Sequence, residues 1–280
     1  MDYKITYHVQ NAYHDNVTEA LFEFRIMPCN DDSQAVLNCD IVNSLGEPVF
    51  NFNNLFGFQA GRIRSTKPFK AFDLTMKCLL QKKKIVMSTA KMLSPKAESA
   101  LMTSNDFLID HHLYLTKTHF TTIAPVAKNK IFVLKKGQGI WEYLNLLNEH
   151  IGSLLAYHKN VTDVKTTAEE ALKLKTGVCQ DFAHVFIGMA RQQNIPVRYV
   201  SGYLNPNKKF LGTAQMHAWV EAYVPQVGWV GFDPANKRVA DENYLKVSHG
   251  ADYADCSPIK GVLKTTGDNK TAHHVKVVVM

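Results

Sequence analysis

Short runs in which apolar and polar residues alternate fill the chain to about residue 90. The stretches YKITYHV, ALFEFRIMP, AVLNCDIVN, FGFQAGRIRS and FDLTMKCLL are rich in β-branched and aromatic residues, and Asn, Asp, Gly and Pro separate them. Their spacing predicts strands of an antiparallel sandwich. SPKAES, residues 94–99, then reads as a hinge with Pro95 marking the break, which divides the chain into an all-β part, 1–95, and a second part, 96–280. Helical periodicity follows. Trp141, Leu144, Leu147, Ile151 and Leu154/Leu155 recur at three- and four-residue steps and predict one apolar stripe. TTAEEALKLKTG carries the marks of a short helix: Thr166 or Thr167 as N-cap, Glu169 and Glu170 in the first turn, Lys173 and Lys175 in the last, and Gly177 just past the end. From Cys179 a second stripe, Ala183, Phe186, Ile187 and Ala190, runs until Asn194–Pro196 stops it. Past Pro196 the period returns to two in VRYVSGYL, HAWVEAYV and GWVGFD, with Pro225 to Gly228 as the turn of the last pair. The fold class expected is α+β, helices packed on an antiparallel sheet.

This pattern puts Cys179 at the first turn of a helix. A thiol with the ordinary pKa of about 8.5 is a weak nucleophile at neutral pH, and the positive end of a helix favours its thiolate. Taken singly, Cys179 reads more readily as a small buried hydrophobe, the only reading open to Cys29, Cys39, Cys78 and Cys256. What distinguishes it comes later in the chain. His217 opens one strand and Asp233 closes the next, so the hairpin brings both to one end, as a base and its orienting carboxylate require. A four-residue loop with Val224 opposite Trp229 would turn Asp233 away from His217, because side chains alternate along a strand. A bulge or odd-length loop using Gly228 is therefore expected to restore a shared face.

Composition narrows the classes of function. With 46% hydrophobic and 20% charged residues the chain has globular proportions, which excludes a disordered or fibrous protein. The net charge of +7 would suit a nucleic-acid partner, but Lys82 to Lys84 read as solvated charge and VLKKGQG lacks the ending of a phosphate-binding loop, so none is expected. No run of roughly 18 uncharged apolar residues occurs, so the expectation is a cytoplasmic protein without a membrane partner. The five cysteines are odd in number and widely spaced, which fits free thiols. His111/His112 and His273/His274 are adjacent pairs, and Cys179 and His184 are five apart. Neither spacing suits a metal, and no cofactor or metal is expected. Trp219 and Trp229 read as packing beside the candidate site, and HHVKVVVM as a terminal strand docking on the sheet.

TGVCQDFAHVF, RYVSGYL, MHAWVEAYVPQVGWVGFDPAN and ADYADCSPIKG together resemble the bacterial transglutaminase-like superfamily of cysteine-protease candidates. FRIMP and FNNLFGF are similar to the N-terminal β domain that accompanies this core in bacterial members. The resemblance implies a papain-like, transglutaminase-like core in 96–280, with Cys179 as nucleophile, His217 as general base and acid, and Asp233 as the group holding the imidazole. Ala235 and Ala251 stand where the family has Thr and commonly Arg, so no role of that arginine carries over. The implied reaction is acyl transfer from an amide of a peptide or protein through a thioester, resolved by water as a peptidase or amidase, or by an amine as a transglutaminase. The first oxyanion donor would be the Cys179 N–H. Tyr157 reads more readily as a core tyrosine with a satisfied hydroxyl than as the second. No calcium-loop pattern is visible. A non-catalytic scaffold is the competing reading, which the presence of all three residues disfavours. Oligomeric state has no signature.

Overall fold

Tyr3, Ile5, Tyr7 and Val9 alternate with more exposed neighbours, and β1 (Asp2–Val17) buries that face almost completely. In the computed structural model, which describes residues 1–84, 92–124, 132–213 and 215–280, this strand lies inside a four-stranded antiparallel sheet. Its order is β15 (Asn269–Val279), β1, β6 (Phe69–Lys82), β3 (Gln34–Asn43). A second antiparallel sheet runs β14 (Ile259–Lys264), β2 (Glu19–Phe24), β5 (Gln59–Ser65), β4 (Phe50–Asn53). The inner faces share one apolar core, in which Phe22 of β2 stacks on Phe72 of β6 with ring centroids 4.0 Å apart. The predicted sandwich is present, but one outer strand of each sheet comes from elsewhere. β14 and β15 lie in the sequence beyond residue 96, yet they pair with β2 and β1. HHVKVVVM docks on β1, where it covers an edge that would otherwise offer unpaired N–H and C=O groups.

The helices follow in the order α1 (Pro95–Met102), α2 (Asn105–Asp110), α3 (His112–Leu115), α4 (Ile140–Leu154), α5 (Ala168–Leu174), α6 (Cys179–Arg191) and α7 (Tyr253–Cys256). SPKAES is a helix start rather than a hinge: the Ser94 hydroxyl accepts from Ala97 N, and Pro95 takes the first position, where its missing N–H costs nothing. α5 begins with the reciprocal Thr167–Glu170 capping box. It ends on Lys175 in the left-handed region, φ 54°, so Gly177 is not its terminating residue. α6 departs from the single-stripe expectation. Every residue after Cys179 is buried, because the helix packs on a five-stranded sheet on one side and on α4 and α5 on the other. That antiparallel sheet has the order β12 (Arg238–Val239), β11 (Gly228–Asp233), β10 (His217–Val224), β9 (Val197–Leu204), β13 (Tyr244–Gly250). Two two-residue strands, β7 (Ala156–Tyr157) and β8 (Thr176–Gly177), pair in parallel beside the start of α6. The architecture is α+β, as expected.

The sandwich meets the second sheet through polar as well as apolar contacts. Gln34, 1% exposed, donates from Nε2 to Lys246 O at 2.7 Å and accepts from Lys246 N at Oε1 at 2.9 Å, so one side-chain amide satisfies both backbone groups of β13 at that point. Tyr203 likewise donates to Ile26 O at 2.6 Å. Lys82, expected in solvent, is buried at this junction and donates to Ser33 Oγ at 2.7 Å. Gln34→Ala should take the side-chain acceptor from the buried Lys246 N–H, whereas Lys246 O keeps Cys29 N at 3.0 Å, and cost about 1–3 kcal/mol. Urea unfolding followed by fluorescence is the check, and a change below about 0.5 kcal/mol would mean that the junction contributes nothing.

Candidate active site

The turn between β10 and β11 decides which side chains can meet. Val224 lies opposite Gly228, and Pro225, Gln226 and Val227 form a three-residue loop closed by Val227 N donating to Val224 O. Gln226 and Gly228 adopt positive φ, 63° and 95°, the conformation such a loop needs at these positions. Val220 therefore pairs with Phe232, and Asp233, one residue on, projects to the same face as Trp219 and His217. The odd-length loop expected from the sequence is present. His217 Nε2 donates to Asp233 Oδ2 at 2.8 Å, and both side chains are closed to solvent.

Asp233 is held from every side. Oδ2 also accepts from Tyr244 Oη at 2.9 Å and Asn236 Nδ2 at 2.8 Å, and Oδ1 accepts from Ala235 N and Asn236 N. Burial alone would raise its pKa, but the His217 charge and these hydrogen bonds overcome it and hold the carboxyl below its ordinary value. For His217, burial acts to lower the pKa. The Asp233 charge, followed by Cys179, prevails and pushes it up to about 10. His217 Nδ1 is buried without a hydrogen-bond partner among the described residues, which leaves it as the nitrogen available to Cys179 in the cleft that both residues line. Gly212 packs on this atom: its φ is +87°, and a Cβ there would lie 2.6 Å from Nδ1. Asn236 secures that loop as well, accepting from Leu211 N at 2.7 Å.

Cys179 takes the first helical position of α6, and it alone in that helix is not fully covered. Asp181 fixes the helix start, its Oδ2 accepting from Val178 N and from Thr162 Oγ1, both at 2.7 Å. An added Cβ on Gly177 would lie 2.5 Å from that same oxygen, so Gly177 is there for space rather than for helix termination. The cleft beside Cys179 measures about 280 Å³. Tyr157, Tyr199, Met216 and Tyr253 line it from the second part of the chain, and Tyr7 and Ile259 from the sandwich. Tyr157 lines the cleft and also packs against the core, its ring beside Phe182. His184 is a packing residue: fully buried, with its pKa pushed down to about 3 by burial and Arg191, it accepts from Tyr253 N. Trp219 packs as expected, edge-on to Tyr244.

Sequence reasoning missed Tyr244, Asn236 and Gly212. Asn236 had a visible signal, since Asp-Pro-Ala-Asn is a turn in which the fourth residue can return to the first. Tyr244 and Gly212 had none, because they reach the site through tertiary packing alone.

Residues 132–234, which contain all three candidate residues, match the Transglutaminase-like superfamily. An uncharacterised Mycobacterium tuberculosis (strain ATCC 25618 / H37Rv) protein is 36% identical over 137 residues, 46% of this chain and 44% of that protein. The protein-glutamine gamma-glutamyltransferase of Pseudomonas aeruginosa is 38% identical over 66 residues, 21% of this chain and 10% of that one. The chain thus spans less than half the length of these curated relatives. The crystal structure of a cysteine protease candidate from Cytophaga hutchinsonii superposes with a TM-score of 0.80 at 21% identity, over 99% of this chain and 90% of that one. The family match is confined to residues 132–234, and the fold shared with the Cytophaga hutchinsonii structure extends through the sandwich. Among the described residues no helix is long and apolar enough to cross a membrane, and no cluster of three His, Cys, Asp or Glu could hold a metal ion.

The raised pKa of His217 has a testable sign. Its imidazole should titrate near pH 10 by NMR, and Asp233→Asn should lower that value, because Cys179 alone is then left to offset burial. A His217 resonance titrating near 6.5 in the unaltered protein would contradict the pairing. Because the folded His217 value lies above the unfolded one, its charge stabilises the fold fully below about pH 6.5 while Asp233 stays ionised, and this stabilisation is lost as the pH rises through about 10.

Proposed function

We propose that this chain, through its transglutaminase-like domain, is a thiol acyl-transfer enzyme acting on amide bonds of a peptide or protein, chiefly as a peptidase or amidase. The observation that carries this reading is the buried 2.8 Å bond from His217 Nε2 to Asp233, with Nδ1 left for a cysteine at a helix N-terminus in the same cleft. Cys179 Sγ attacks the amide carbonyl carbon. His217 protonates the leaving amine, and the C–N bond breaks to give a thioester. Water, deprotonated by His217, attacks the thioester, the C–S bond breaks, and the carboxylic acid leaves. Asp233 stays ionised and fixes the imidazole. The Cys179 N–H is the first oxyanion donor, and the place of Tyr157 on the cleft wall supports its hydroxyl as a second. The cysteines are all free, which supports a reducing, cytoplasmic setting.

The likeness to a protein-glutamine gamma-glutamyltransferase supports a second outcome, in which a lysine amine resolves the thioester. Incubation of the protein with a glutamine peptide and a labelled primary amine separates the two: ammonia or cleavage without label means hydrolysis, and incorporated label means transfer. Cys179→Ala should abolish either activity, and His217→Ala should lower it by roughly a thousand-fold or more. The competing scaffold reading predicts a Cys179 iodoacetamide rate no faster than that of an ordinary thiol and unchanged in His217→Ala.

A further inference from the structure

Two of the five cysteines lie on neighbouring strands. Cys39 of β3 and Cys78 of β6 are direct cross-strand partners, whereas Cys29 precedes β3, Cys179 opens α6 and Cys256 ends α7. The chemistry at Cys179 uses neither member of the pair. Opposed cysteines can be joined only where the two backbones come close. In an antiparallel pair the close positions are those that exchange no hydrogen bonds, with Cα atoms about 4.5 Å apart against about 5.5 Å at the bonded ones. A disulfide spans Cα separations of roughly 4.4–6.8 Å and needs close Cβ atoms, so the non-bonded positions suit it.

Two ladders fix the parity of Cys39 and Cys78. Ser44 N donates to Asp73 O at 2.9 Å in the same register that pairs Cys39 with Cys78, which makes Ser44–Asp73 a bonded pair. Five residues along an unbroken register, Cys39–Cys78 is then a non-bonded one. The opposite edge of β6 gives the same answer. Met1 and Lys82 exchange both bonds, at 2.9 and 2.7 Å, so Ile5–Cys78, four residues along, is a bonded pair. Cys78 therefore directs its own N–H and C=O to β1 and offers β3 the close, unbonded position.

The two side chains share the inner face of the sheet. Cys78 is 2% exposed in the sandwich core beside Met76 and Leu80, and Cys39 packs against the same core but stays partly exposed on the edge strand. Each thiol perturbs the other: Cys78 holds that of Cys39 below its ordinary pKa, and Cys39, ahead of burial, pushes that of Cys78 up. A reachable thiol with thiolate character beside a covered one is the arrangement of an attacking and a resolving cysteine.

We propose that Cys39 and Cys78 are a redox modification site, oxidised by hydrogen peroxide to a cross-strand disulfide. The Cys39 sulfur attacks one peroxide oxygen, the O–O bond breaks, and the departing oxygen takes the thiol proton and leaves as water. Cys39 is then a sulfenic acid. The Cys78 sulfur attacks the Cys39 sulfur, the S–S bond forms, the S–O bond breaks, and the hydroxyl takes the Cys78 proton and leaves as a second water. Two thiols have lost two electrons and one peroxide has become two waters; a dithiol reverses the change. The bond ties the edge strand β3 to β6 and closes a segment that carries β4 and β5 of the opposite sheet. The assignment does not depend on the reaction at Cys179.

The full chain carrying Cys179→Ala is the protein to test, because the thiol in the cleft then consumes no peroxide. After hydrogen peroxide, digestion without reductant and mass spectrometry should find the Cys39 and Cys78 peptides joined, and dithiothreitol should release them. Adding Cys78→Ala should stop the reaction at a Cys39 sulfenic acid that dimedone traps. Adding Cys39→Ala instead should slow oxidation of the covered Cys78 roughly ten-fold or more. The joined form should melt roughly 5 °C above the reduced one, since the bond restricts the unfolded chain. No link in the folded protein, a link that appears only in urea, Cys39 joined to another cysteine, or a melting temperature no higher than that of the reduced form would overturn the assignment.

Discussion

The charge of Asp233 is taken fully out of water, and much of the surrounding architecture is arranged to make that tolerable. An isolated buried carboxylate would cost several kcal/mol or become protonated. Here the imidazole, a tyrosine hydroxyl, a side-chain amide and two backbone N–H groups surround it. These five groups come from three structural devices: the start of β10, the first residue of β13, and the turn after β11, which supplies three of them. Satisfying one carboxylate thereby fixes the relative positions of three strand ends. Asn236 extends the arrangement outward, because the amide that holds Asp233 also holds the loop carrying Gly212 over His217.

The same economy appears where the two β systems meet. Gln34 closes the backbone groups of Lys246 that the end of one sheet leaves open, and β14 and β15 return from the far end of the chain to cover β2 and β1. The sandwich is therefore part of the cleft wall through Tyr7 and Ile259, and through Lys82 and Phe58 it lines a second concavity. Both concavities lie along one strand, β10, with His217 at the first and Trp219 and Glu221 at the second.

The local features of this protein were legible in its sequence. The helix start at Cys179, the capping box at Thr167 and Glu170, and the strand ends at His217 and Asp233 follow from periodicity, capping and turn chemistry, all of which act over a few residues. The need for an odd-length loop was legible too, since a shared face imposes a parity. What the parity left open was the means, and Val224 facing Gly228 around Pro225–Val227 supplied it. Where local rules pointed elsewhere, packing or space was the reason. Gly177 yields to the Asp181 carboxylate rather than ending a helix, α6 is buried on all sides because it lies between layers, and Lys82 leaves water because Ser33 and Gln34 receive it. Tyr244, Gly212 and the return of the last two strands to the sandwich were decided by tertiary structure alone. Chain periodicity records which face of an element is apolar. The partner of a buried charge and the neighbour of a sheet edge are set by residues up to hundreds of positions away, and no local pattern records them.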